Sequence, residues 1–253
     1  MPNFIKSRAD APAGFFEAEA AGLAWLADAP DGVRTARVLA VRPGTIELER
    51  IETARPTPEA ARGFGAALAR THDAGAAAFG SPPAGYAGPM FIGRRPLTTA
   101  RQTRWGRFYA RDRVLPYLVE AVKAHTVTER EERVIRTACD RIAAGDFDDA
   151  EAPARLHGDL WNGNVLWSAE GVVLIDPAAH GGHRETDLAM LALFGCPHLD
   201  EVLGAYDAQL PLRAGWRERV PVHQLHPLAV HAAGHGRSYG VALVEAAEAT
   251  LAL

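Results

Sequence analysis

The sequence predicts an α+β protein of two unequal lobes, on three observations. β-like runs fill most of the first 50 or so residues and recur only as a short island around 156–176. The remaining segments carry helical periodicity. The side chains with the most chemistry gather in the island. A chain of 253 residues is long enough for two lobes sharing a cleft. The character changes after Thr53, which divides the chain into a small lobe of residues 1–53 and a large lobe of residues 54–253.

Taken in order, Asn3–Lys6 reads as a short strand, followed by a loop holding Asp10. Pro12 suits a first helical turn, and Phe16, Glu19, Leu23 and Leu26 recur at helical spacing up to Ala29. Arg37–Val41 and Thr45–Ile51 read as a hairpin about the turn signal Arg42-Pro43-Gly44. Thr57 before Pro58 and Glu59 predicts a capped helix running to about His72. Gly75–Gly93 is rich in glycine and proline and reads as loop. Gln102–Ala124 is helical, divided or kinked at Pro116, and Thr128–Ala144 is the next helix. The island offers strands at Leu156–Asp159, Asn164–Trp167 and Val172–Asp176, with Glu170-Gly171 as a turn. From Thr186 onward the pattern is mainly helical.

Composition removes several function classes. The formal charge of −4 offers no general basic surface for nucleic acid. Two distant cysteines, Cys139 and Cys196, fit neither a disulfide framework nor a zinc ribbon, so a reducing cytoplasm is expected. No apolar run approaches the roughly 20 residues of a membrane span, and the first residues lack the apolar core of a secretory signal. A soluble protein, with a monomer favoured, is the expectation. Of 27 basic side chains only Lys6 and Lys123 are lysines, so a lysine at a telling position carries weight. His231/His235 and His223/His226 have helix-face spacing, but no third ligand accompanies them in sequence, and they read as ordinary helix histidines.

The chemistry lies in the segment from Leu156 to Asn164, where Asp159 and Asn164 stand five residues apart after His157. A hairpin follows, and its second strand ends at Asp176-Pro177. His-x-Asp-x-x-x-x-Asn, then an apolar strand, then Asp, is the order of kinase catalytic machinery. Phosphoryl transfer needs a metal to neutralise the triphosphate, and Mg2+ prefers hard oxygen ligands. Asn164 and Asp176 would supply them, and Asp159 would accept a hydrogen bond from the acceptor hydroxyl.

Leu156-His-Gly-Asp-Leu-Trp-Asn-Gly-Asn164, the run Ile175-Asp176-Pro177, and Gly182-His-Arg-Glu-Thr-Asp-Leu-Ala-Met190 together resemble the fructosamine/ketosamine-3-kinase family. Phe64-Gly65, His72, Gln102, Trp105, Arg113, Tyr206 and Tyr239 extend the resemblance over nearly the whole chain. It implies a bilobal protein-kinase-like fold and ATP with Mg2+. Lys6 resembles the strand lysine that holds the α- and β-phosphates, and Glu19 its helix partner. Glu49–Ile51 falls where the hinge would lie, whose backbone groups would hydrogen-bond adenine while its side chains serve structure. Asp187 resembles the acid that braces the catalytic loop, although an acid in a first helical turn is also favoured by the helix dipole alone. Trp161 falls on the substrate side, where its ring could stack on a sugar, and His183, Arg184 and Glu185 fall just beyond Asp176, where a substrate contact or a network supporting the site would form. The Gly-rich hairpin that normally precedes the lysine strand has no counterpart ahead of Lys6, which implies a truncated small lobe, weaker ATP binding and an exposed strand edge. The activity implied is phosphorylation of the 3-hydroxyl of a free or protein-bound ketosamine, a deglycation role. Two alternatives stand beside it: phosphotransfer to another hydroxylated amine of the aminoglycoside or choline type, and a catalytically impaired nucleotide-binding module.

Overall fold

In the computed structural model, residues 3–253 are described. Strand β1 (Asn3–Ser7) is followed by helix α1 (Phe15–Ala27), β2 (Arg34–Thr35), β3 (Val38–Arg42) and β4 (Thr45–Glu49). β4 lies between β1 and β3 in an antiparallel sheet, with Lys6 opposite Ile46 and Phe4 opposite Leu48. One face of this sheet buries Ile46 and Leu48 against Phe16 and Leu23 of α1. The helix begins three residues later than Pro12. Gly14 takes a left-handed conformation at its start, so Pro12 belongs to the turn before it.

The large lobe opens with α2 (Pro58–Asp73), capped by Thr57, whose hydroxyl accepts from the Ala60 amide. The region read as loop ends in a short hairpin, β5 (Met90–Ile92) with β6 (Arg95–Leu97). Three-residue strands fall below what periodicity can show. The predicted helix 102–124 is α3 (Trp105–Phe108), a π-helical turn at Tyr109–Val114, and α4 (Leu115–Lys123), with Pro116 in the first turn of α4. Next come α5 (Glu129–Ala144), with a full capping box between Thr128 and Glu131, and β7 (Ala154–Leu156). Strands β8 (Val165–Ser168) and β9 (Gly171–Leu174) form the expected hairpin, and β10 (His180–Gly182) pairs with β7. Helices α6 (Glu185–Phe194), α7 (Leu199–Gln209), α8 (Trp216–His235) and α9 (Arg237–Ala252) complete the chain.

Two features place the site. β2 joins β9 in parallel, Thr35 opposite Leu174, so a small-lobe connection extends the sheet that carries the island. A two-residue strand of this kind leaves no trace in sequence. The second feature is close packing of α2 on α7. At Gly65 a Cβ would collide with the backbone carbonyl of Val202. Gly65→Ala is therefore expected to lower stability by about 1–3 kcal/mol through overpacking, read as a lower urea midpoint. An unchanged midpoint would mean that the two helices separate without cost.

Candidate active site

Strand β7 ends before Asp159 because Gly158 adopts φ 80° and turns the chain. The loop thus released is held from both sides. His157 places Nε2 2.9 Å from the Ile175 carbonyl, and its Nδ1 accepts from the Asp159 amide at 3.2 Å. That pattern suits a neutral ring, and burial also lowers its proton affinity. Asp187, buried in α6, accepts from the amides of His157 at 2.7 Å and Gly158 at 3.0 Å. Of the two sequence readings of Asp187, the geometry is that of a brace on the loop.

Asn164 closes the loop onto itself. Its Nδ2 donates to the Asp159 carbonyl at 2.8 Å and approaches the Asp159 carboxylate at 3.3 Å. Burial pushes the Asp159 carboxyl up to about 7, with the Asn164 hydrogen bond working the other way. Asp176 lies two residues beyond β9 at φ 54°, a left-handed position that Asp tolerates better than most residues. Its carboxylate is 43% exposed and pairs with the Lys6 ammonium, which also lies 2.7 Å from Glu19. Lys6 and Glu19, predicted as partners, are thus brought together with Asp176.

These groups face one cavity of about 350 Å3. Lys6, Glu19, Asp159, Asn164 and Asp176 give it a polar side, with Trp161 beside them. Phe15, Phe16, Met90 and Phe91 supply an apolar side. Trp161 is 43% exposed, rests its ring against Gly163 and meets Phe194 edge-on at 6.4 Å. It is a wall of the cavity rather than a core aromatic. The donor set suits a hard cation. Asn164 spends its amide nitrogen on the loop, which turns its carbonyl oxygen away from protein donors, and Asp176 adds a charged oxygen on the same cavity.

The fructosamine kinase family model matches residues 1–252. The chain belongs to the fructosamine kinase family. Among its relatives, a protein of Enterococcus faecium designated a ketoamine kinase is 33% identical over 239 residues, 94% of this chain and 83% of the relative. A crystal structure from Thermobifida fusca, assigned as a fructosamine-3-kinase, superimposes with a TM-score of 0.92 at 46% identity, over 100% of this chain and 86% of that one. An aminoglycoside phosphotransferase crystallised with ADP and hygromycin B shares the fold at a TM-score of 0.63 and 13% identity, covering 99% and 85% of the two chains. The architecture is the bilobal protein-kinase-like one, and the protein is a small-molecule kinase.

Other predicted site residues lie elsewhere in the chain. His183, Arg184 and Glu185, read as substrate-side, are buried behind the loop and do not line the cavity. His183 is 3.2 Å from Asp149. Arg184 forks onto Glu151 at 2.5 and 2.6 Å and donates to the carbonyls of Leu210 and Pro211. Glu185 takes the Arg219 fork at 2.5 and 3.0 Å and lies 3.3 Å from His223. Their polar atoms join segments of the large lobe to one another. His223, read as an ordinary helix histidine, belongs to this network. Glu49 ends β4 with its carboxylate on Arg34 and on the Arg37 amide, so its side chain is structural. Ile51 lies just beyond β4, on a separate cavity with Glu49 and Arg34. The apolar wall from Phe15, Met90 and Phe91 escaped sequence reading. Its signal was the paired aromatics that open α1 and a Met-Phe-Ile run inside a Gly/Pro-rich stretch.

Proposed function

We propose that the protein transfers the γ-phosphoryl group of ATP to the 3-hydroxyl of a ketosamine, a fructosamine or ribulosamine formed on an amine or a protein. The observation that carries this reading is the placement of Asp159, Asn164 and Asp176 on the same cavity as the Lys6–Glu19 pair. The T. fusca structure, at 46% identity, supports position 3. Lys6 holds the α- and β-phosphates in this reading, with Glu19 orienting its ammonium. Asn164 and Asp176 would hold Mg2+, which when bound neutralises the triphosphate. Asp159 orients the acceptor hydroxyl toward the γ-phosphorus. The new O–P bond forms as the bond to ADP breaks, and the hydroxyl proton passes late to the Asp159 carboxylate. Trp161 offers a ring face to the sugar. Phosphate at position 3 destabilises the adduct, so the biological sense is deglycation in a cytoplasmic setting.

The test follows ADP release and product phosphate position with ATP–Mg2+ and fructosamine, ribulosamine, an aminoglycoside and choline. Phosphate on O3 of the ketosamines is the expected result. Turnover of aminoglycoside or choline with none of either ketosamine would overturn the reading, and so would ATP binding without transfer to any of them.

A further inference from the structure

The brace on the catalytic loop does not end at Asp187. A carboxylate can only accept, so His72, 3.2 Å away, gives Asp187 its Nε2 proton. The other ring nitrogen, Nδ1, shares a hydrogen bond of 2.7 Å with the Tyr206 hydroxyl, which can give or accept the proton. Tyr206 in turn lies under the Arg184 guanidinium, whose carbon is 5.9 Å from the ring centroid. Arg184 is fixed by its fork on Glu151 and by two carbonyls of the segment after α7. His72 comes from α2, Tyr206 from α7 and Asp187 from α6, and all three are almost wholly buried.

Three polar side chains from three helices, withdrawn from water, end on two backbone amides directly before Asp159. Buried polar groups need partners, and each of these finds its own on another helix or on the loop. Their alignment couples the helix layer to one loop.

We propose that Tyr206 and His72 are positioning residues for the catalytic loop, carrying the anchorage of Arg184 to Asp187 and so fixing Asp159. The inference rests on the reading of residues 157–164 as the phosphoryl-transfer loop. Tyr206→Phe removes one oxygen and keeps the ring. It leaves His72 Nδ1 without its hydrogen-bond partner, so that the ring can tip and loosen its hold on Asp187.

The experiment uses the full chain and two readouts. Amide hydrogen exchange at His157 and Gly158 in Tyr206→Phe is expected to quicken about tenfold, with protection in α9 unchanged. With ATP and a fructosamine, kcat is expected to fall about tenfold while KM for ATP stays within about twofold. Unchanged exchange at the two amides overturns the inference, whatever the substrate. A uniform loss of protection that includes α9 also overturns it, because the role is then structural support alone. Quickened exchange confined to the loop upholds it even where the parent protein phosphorylates no ketosamine, a result that counts against the proposed function instead.

Discussion

Asp159→Asn is expected to lower turnover by about 10^3-fold while leaving ATP binding intact. The amide can still sit beside Asn164, but it cannot take the proton of the acceptor hydroxyl. Asp159 contacts neither Lys6 nor Glu19, so the nucleotide end of the cavity is untouched. Steady-state kinetics with a fructosamine and ADP release, alongside calorimetric titration of ATP, separate the two effects. Turnover within a factor of about ten of the parent would remove Asp159 from the chemistry, because acid–base and positioning roles together are worth more than that.

The same residue predicts a pH dependence with a definite sign. Burial holds the Asp159 carboxyl up near about 7, above the ordinary carboxylate value. The fold therefore favours the protonated form. That preference stabilises the folded state fully at pH below the unfolded value, and the contribution is lost as pH rises through about 7. Without metal, Asp159→Asn should accordingly melt a few degrees above the parent at pH 8, by a rough estimate, and the gap should close toward pH 4. The ionised form is the one that accepts a proton, so kcat/KM of the parent should fall on the acid side of about 7.

How much of this was legible in the sequence depends on the range of the interaction. Asp159, Asn164 and Asp176 sit within 18 residues of one another, on a loop and hairpin whose local geometry fixes their relation. Lys6 and Glu19 were legible only through the family resemblance, which gives the strand lysine a carboxylate partner on the next helix. His183, Arg184 and Glu185 show the limit. Their charge and their place just after Asp176 left open a ligand surface or a supporting network, because their partners Glu151, Leu210, Pro211 and Arg219 come from segments whose approach no local pattern encodes. A charged residue in a buried network and one in a binding site look alike until burial is known. The β5–β6 wall and the β2–β9 pairing failed for another reason. Their strands are two or three residues long, below the length at which alternation can be seen.

Asp176→Asn is the second large effect expected, and it falls on the metal rather than on the hydroxyl. Asn at this position accepts the left-handed backbone that Asp176 adopts at φ 54°, so the hairpin should keep its shape. What is lost is a negative charge on the cavity and the carboxylate partner of Lys6, which retains Glu19 at 2.7 Å. With two neutral amides in place of one amide and one carboxylate, divalent-cation affinity in the presence of ATP should drop at least about tenfold and turnover about 10^3-fold. Mn2+ titrated in the presence of ATP, followed by its paramagnetic resonance signal, reads the first; ADP release reads the second. Because Lys6 gains freedom as it loses Asp176, ATP titrated without metal should bind at least as tightly as to the parent. Undiminished Mn2+ binding would exclude Asp176 as a ligand. Weakened metal-free ATP binding would instead show that the Lys6–Asp176 contact organises the phosphate site rather than competing with it.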